Sequence, residues 1–124
     1  MVLLDKILGK TFSSVQQKGD AILFQGEKSY SLHHDQDCCE IVEIEDICGD
    51  LRSLENTPIL NAYSETGGNL PPKKDTSALE SYTWTFFRIF TAKGTVVIRF
   101  YGTSNGYYSE GADFYEMPAG ENNG

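Results

Sequence analysis

Val2, Leu3, Leu4, Ile7 and Leu8 recur at helical spacing and predict one short amphipathic helix, stopped by Gly9. The chain then turns to strand-like runs. TFSSVQQ ends in Lys18-Gly19-Asp20, a turn signal; AILFQ leads to Gly26; and SYSLHH follows. IVEIE alternates, with Ile41, Glu43 and Glu45 on one side and Val42 and Ile44 on the other. In GDLRSLENTP, Asp50 suits the N-cap of a second short helix, and Pro58 lies beyond its end. Ile47, Leu51 and Leu54, spaced i, i+4, i+7, would face the core. ILNAYS reads as another strand, YTWTFFRIFTA and TVVIRFYG as two long ones, and YYSEGADFYE as a third beside them.

Residues Ser64 to Ser81 contain Gly-Gly, Pro-Pro and Lys-Lys and almost no apolar side chains, which predicts a mobile loop acting as lid or decoration. The expected organisation is a single globular domain over 1–116, with a flexible C-terminal tail at 117–124. The expected fold class is α+β: a twisted antiparallel β-sheet with one or two short helices.

The two long strands predict a hairpin. A two-residue loop at Lys93-Gly94 would pair Ala92 with Thr95 and continue outward. One face then carries Thr85, Phe87, Ile89, Thr91, Val96, Ile98 and Phe100, with no charge, and is the core face. The other carries Trp84, Phe86, Arg88, Phe90, Val97, Arg99 and Tyr101. This register sets Arg88 directly opposite Arg99. Like charges so placed repel, so an anion is expected beside them. Guanidinium groups flanked by aromatic rings suit a phosphate or carboxylate attached to a planar base. The competing expectation is a salt-bridged sheet face. A turn at Asn105-Gly106 would pair Tyr101 with Glu110 and Thr103 with Tyr108, and Glu110 would neutralise Arg99 diagonally. A bulge at Gly111 would let Ala112 and Phe114 reach the core while Asp113 turns out, and the acidic stretch would supply a partner for Arg88.

Charge narrows the function classes. Ten basic and 18 acidic residues give a net charge of −8, which argues against duplex nucleic-acid binding. Asp35, Asp37, Glu40, Glu43, Glu45, Asp46, Asp50 and Glu55 crowd one stretch, opposed only by Arg52. They form either a solvated acidic face or a surface for a basic protein partner. No apolar run is long enough to span a bilayer, so no membrane role is expected. The N-terminal VLLDKILGK is broken by Asp5 and Lys6 and lacks a small-residue cleavage site, which implies a cytoplasmic location. Three cysteines, an odd number, are expected to stay reduced there.

HHDQDCCE, residues 33 to 40, concentrates reactive side chains. His33, His34, Cys38 and Cys39 have zinc-ligand chemistry, but neighbours on a strand point to opposite faces, and no C-x-x-C pair exists. A site of one His, one Cys, Asp37 and Cys48 stays open as an alternative. Cys38 or Cys39 with a histidine would make a nucleophile and base, yet the acidic neighbours raise a thiol pKa. A histidine as general base on a phosphodiester is a further option. The plainest expectation is a polar turn at Asp35-Gln36-Asp37, with the histidines ending one strand and the cysteines entering the next. Its density of donors and acceptors also suits the wall of a polar pocket. No cofactor is implied.

HHDQDCCE, IEDICGDL, SYTWTFF and VIRFYGTSNGYYSE together resemble a family of short, functionally unassigned proteins from phages and bacteria, over about residues 30 to 115. The resemblance brings no established enzyme activity and no established site. It implies an accessory role in which such proteins disable host defence by blocking a protein or capturing a signalling nucleotide. The leading expectation is therefore a phage-type binding protein in the host cytoplasm that sequesters a small nucleotide-like ligand without turnover. Trp84, Tyr101 and Tyr108 would stack on it, Arg88 and Arg99 would hold its phosphate, and His33, His34, Asp35 and Asn105 would supply directional hydrogen bonds. A homodimer would enclose the ligand more fully. Two alternatives remain: an acidic inhibitor of a host protein working through residues 35 to 55, and a phosphodiesterase-like enzyme using His33 or His34.

Overall fold

A computed structural model describes residues 2–37, 39–67, 70–73, 81–106 and 109–117. Over these the chain forms β1 (Val2–Leu3), β2 (Phe12–Lys18), β3 (Ala21–Gly26), β4 (Tyr30–His33), β5 (Ile41–Cys48), β6 (Asn61–Thr66), β7 (Ser81–Thr91), β8 (Gly94–Ser104) and β9 (Asp113–Glu116). The strands make two antiparallel sheets, ordered β1-β6-β7-β8-β5 and β2-β3-β4-β9. Two short 3₁₀ helices, Asp5–Ile7 and Leu51–Leu54, are the helical elements among the described residues. The expected single domain of antiparallel sheet with short helices holds, and the sheet divides into two packed layers. Among the described residues no helix is long and apolar enough to cross a membrane.

The layers meet through one apolar core. Phe87, Ile89, Val96, Ile98 and Phe100 of the larger sheet face Phe12, Val15, Ile22, Phe24, Leu32 and Phe114 of the smaller. Phe87 meets Phe114 edge-on across the interface, with ring centroids 6.1 Å apart. Two bulges reconcile strand geometry with this core. One lies between Phe12 and Ser14, so Phe12 and Val15, three apart, both point inward. The other lies between Ile44 and Asp46 and lets Ile44 and Ile47 both pack on the core.

Three local expectations change. The N-terminal helix is instead a two-residue strand and a 3₁₀ turn. Val2 and Leu3 pair with Ser64 and Tyr63, and the Leu4 N–H bonds the Ala62 carbonyl at 3.0 Å. An isolated helix this short cannot repay its nucleation cost, whereas the β6 edge offers ready backbone partners. In the hairpin, Thr91 pairs with Gly94 around a loop of Ala92 and Lys93, so Arg88 lies opposite Val97 and Phe86 opposite Arg99. Thr91 sets this turn: its Oγ1 accepts the Lys93 N–H at 3.1 Å and donates to the Ser53 carbonyl at 2.6 Å. A slip of one residue would swap the faces, but this shift preserves them, and all seven residues of the expected core face except the turn-proximal Thr91 are under 6 % exposed. Finally, β9 does not extend the hairpin. It crosses to the smaller sheet and pairs with β4 in unbroken register, which buries Phe114 and leaves Asp113 exposed without the bulge expected at Gly111.

The second short helix matches its prediction, since the Asp50 carboxylate accepts the Arg52 N–H at 2.9 Å. Of the expected loop, Ser64–Thr66 complete β6 and Ser81 opens β7, while residues 68–69 and 74–80 lie outside the described residues, as does most of the expected tail, 118–124.

Open strand edges are closed by side chains. The Val15 N–H of edge strand β2 bonds Glu55 Oε2 at 2.9 Å. The Ile44 N–H of edge strand β5 bonds Asp20 Oδ1 at 3.0 Å, and the Phe114 N–H of β9 bonds Asp113 Oδ1 at 2.8 Å. Each carboxylate satisfies a donor that would otherwise invite pairing with another chain. Glu55→Ala should therefore cost about 1–3 kcal/mol in urea unfolding and raise concentration-dependent light scattering. Unchanged stability and scattering would deny this edge-capping role.

Candidate functional site

The outer face of the larger sheet carries both arginines, each with a carboxylate. Arg99 holds Asp46 through two bonds, Nε to Oδ1 at 2.6 Å and Nη2 to Oδ2 at 2.8 Å. The β5 bulge places Asp46 there, directly across from Arg99. The Asp46 hydrogen bond raises the Arg99 pKa above its usual value, and partial burial opposes it. Arg88 Nε lies 3.3 Å from Glu65 Oε1 on β6. The expected Arg88–Arg99 juxtaposition is thus replaced by two separate ion pairs. The acidic stretch partners Arg99 rather than Arg88, and Glu110 partners neither. Pairs this exposed are worth about 0–1 kcal/mol each, so their value is chiefly positional.

Trp84 and Tyr101 lie beside these pairs, with ring centroids 4.5 Å apart, and the Arg99 guanidinium sits 5.4 Å from the Trp84 ring. Both rings are covered by the chain itself. Trp84 Nε1–H donates to the Pro71 carbonyl at 3.0 Å, and the Lys73 N–H donates to the Tyr101 hydroxyl at 3.1 Å.

The HHDQDCCE stretch builds a different region, at the end of the smaller sheet. The Ser31 hydroxyl and His33 Nδ1 are hydrogen-bonded at 2.7 Å, and the His33 ring lies against Tyr115 with centroids 4.6 Å apart. His34 Nδ1–H donates to the Gly111 carbonyl at 2.8 Å, while Nε2 meets Glu40 Oε2 at 2.6 Å. These two side chains are 6 % and 0 % exposed. Glu40 Oε2 also accepts the Asp37 N–H at 2.8 Å, and Gln36 Nε2–H donates to the Glu40 carbonyl. In place of the expected polar turn, residues 35–37 are an irregular segment braced by the Glu40 side chain and carbonyl. Cys39 is disulfide-bonded and Cys48 is a free, exposed thiol, in place of the three reduced cysteines expected. Among the described residues no group of three or more His, Cys, Asp or Glu side chains is arranged to hold a metal ion.

Beside this brace lies a groove of about 270 Å³, walled by His34, Asp35, Ser109, Gly111, Asp113 and Tyr115. Burial raises the Tyr115 pKa, and the nearby Asp113 and Asp35 carboxylates raise it further. The groove is thus electronegative and has an aromatic wall.

The structure therefore divides the expected site residues. His34 and Asp35 line the groove, and His33 lies against its Tyr115 wall. Trp84, Arg88, Arg99 and Tyr101 lie on the other sheet, Asn105 is exposed after β8, and Tyr108 lies outside the described residues. Asp113, Tyr115 and Glu110 were not foreseen as site-forming. Glu110 is buried, and its carboxylate accepts Thr83 Oγ1–H at 2.8 Å, Ser81 Oγ–H at 3.2 Å and the Ser104 hydroxyl. Gly102 makes room for this segment, since a Cβ there would overlap the Glu110 carbonyl oxygen. The sequence does contain a signal: Ser81 and Thr83 continue the core-face alternation of β7 and their hydroxyls meet this acceptor, whereas the buried Thr85 Oγ1 has no hydrogen-bond partner among the described residues.

The chain belongs to a family defined by a domain of unknown function, DUF7448, which matches residues 5–114. No curated protein and no solved structure matches it.

The His34–Glu40 pair should behave as one unit. Glu40→Ala should cost about 3–5 kcal/mol in urea unfolding, because it strands a buried imidazole. A His34→Ala/Glu40→Ala double variant should lose clearly less than the sum of the singles. Additive losses would mean that the two side chains are not coupled.

Proposed function

We propose that this protein is a binding module that retains a small nucleoside-like ligand in the groove beside His34, without turning it over. The observation that carries this reading is the pairing of two carboxylates, Asp35 and Asp113, with the aromatic wall of Tyr115 and its neighbour His33. Carboxylates accept from ribose hydroxyls and exocyclic amines, and an aromatic face stacks on a base. The volume is near the lower end for small-molecule sites, about 300 Å³, which suits a single nucleoside. The negative surroundings favour the nucleoside end, so any phosphates would point to solvent.

Other readings have less support. A phosphate clamp of Arg88 and Arg99 would have to displace Glu65 and Asp46. Catalysis by His34 would require breaking its contact with Gly111 or Glu40. A broad acidic docking face is reduced because Glu40, Glu45, Asp46, Asp50 and Glu55 each already hold an internal partner. The setting we propose is a phage-type accessory protein in the host cytoplasm that withholds its ligand from a host process, and this rests on sequence resemblance.

Calorimetric titration with ribonucleosides and their mono- and triphosphates tests the reading. Nucleosides should bind, added phosphates should weaken binding, and Asp113→Asn should weaken it at least about 10-fold while keeping the cap on Phe114. Mass spectrometry should recover the ligand intact. Absence of nucleoside binding, or phosphate-dependent binding abolished by Arg99→Ala, would contradict the assignment, and a changed ligand mass would make the protein an enzyme.

A further inference from the structure

The segment Leu70-Pro71-Pro72-Lys73 lies on the outer face of the larger sheet, away from the groove, and its contacts have a recognisable chemistry. Proline has no N–H, so a partner must grip the carbonyls of a proline run and the backbone at its ends. That is the pattern here. The Tyr82 hydroxyl donates to the Leu70 carbonyl at 2.8 Å, and the Trp84 indole N–H donates to the Pro71 carbonyl at 3.0 Å. The Tyr101 hydroxyl accepts the Lys73 N–H at 3.1 Å. The lysine that ends the run is read separately: Nζ lies 2.7 Å from Glu45 Oε2 and 5.6 Å from the centroid of the Tyr101 ring.

The receiving surface is held in shape from beneath. Tyr82 and Tyr101 stack at 6.1 Å, Trp84 and Tyr101 meet at 4.5 Å, and Arg99, clamped by Asp46, lies over the Trp84 ring. Aromatic side chains with one indole donor and an acidic rim are the features that recognise proline-rich segments, whose extended form costs little entropy to bind. The segment itself is shallowly seated: Leu70, Pro71 and Pro72 are all exposed.

We propose that Tyr82, Trp84, Tyr101 and Glu45 form a docking cradle for a proline-rich segment of a protein partner that ends in a basic residue, and that Leu70–Lys73 fills this cradle in cis. Two observations select that partner. A Pro-Pro-Lys run is already seated there by backbone-directed bonds, and Glu45 in a chain of net charge −8 favours a cationic end. The cis segment competes at an effective concentration in the millimolar range, so a partner in trans gains access as the strap loosens. This inference does not depend on the groove reading.

Trp84 is the only tryptophan, so its fluorescence reports the cradle directly. The probe is the peptide Leu-Pro-Pro-Lys-Lys-Asp, titrated into the full chain and into a Pro71→Gly/Pro72→Gly variant. The variant alone should show red-shifted Trp84 emission. The peptide should reverse that shift, saturating at a concentration at least about 10-fold lower than in the unaltered chain. A peptide with its first lysine changed to glutamate should bind more weakly. Lys73→Ala, which keeps both prolines, provides the second variant and should also admit the peptide more readily. Trp84 emission that does not respond to the peptide in either variant, or equal binding of the glutamate peptide, would overturn the proposal.

Discussion

A buried carboxylate governs how this chain closes. The inner face of the β7–β8 pair is apolar at one end and hydroxyl-bearing at the other, where Ser81, Thr83, Thr85 and Ser104 replace the phenylalanines and isoleucines. Thr85 and Ser104 are buried there, Thr83 is half-buried and Ser81 is exposed, and a buried hydroxyl left unpaired costs free energy. Glu110 meets three of them, and through it the chain leaves the larger sheet, crosses the polar end of the core and enters β9 of the smaller one. Gly102 and the His34 bond to the Gly111 carbonyl fix the same crossing from two sides. The groove is a product of this crossing, since Ser109, Gly111 and Asp113 come from it.

The acidic composition has a structural purpose that net charge alone does not reveal. Glu110 and Glu40 organise the interior, while Glu55, Asp20 and Asp113 each close a strand edge. Asp46 and Glu65 neutralise the two arginines of the outer sheet face. Individually the surface pairs contribute little energy. Their effect is geometric: Asp46 fixes Arg99, Arg99 supports the Trp84 ring, and Trp84 holds the proline segment.

Much of the fold was legible because strand patterning depends on parity. The faces of β7 and β8 survive the misplaced turn, since the offset between the expected and observed pairing leaves Phe87, Ile98 and Phe100 on the same side. The register itself was not legible, because Thr91 is held by Ser53, a partner far away in sequence. Local helical spacing at the N-terminus lost to pairing with β6 for the same reason. At the candidate site, His33, His34 and Asp35 could be singled out from residue type, and the break between β4 and β5 at 35–37 from its polarity. Tyr115 and Asp113 could not, because they reach the groove only through the crossover that pairs β9 with β4. The arginine partners were hidden by a bulge on β5 and by the pairing of β6 with β7.

The most direct measurement is amide hydrogen exchange on a Glu110→Ala variant, resolved by peptide. The account predicts that protection falls first in the segment through 109–113 and in the β4–β9 pair, while the center of the β7–β8 hairpin remains protected. Protection equal to that of the unaltered chain throughout 109–116 would contradict the central claim that this carboxylate closes the fold and shapes the groove.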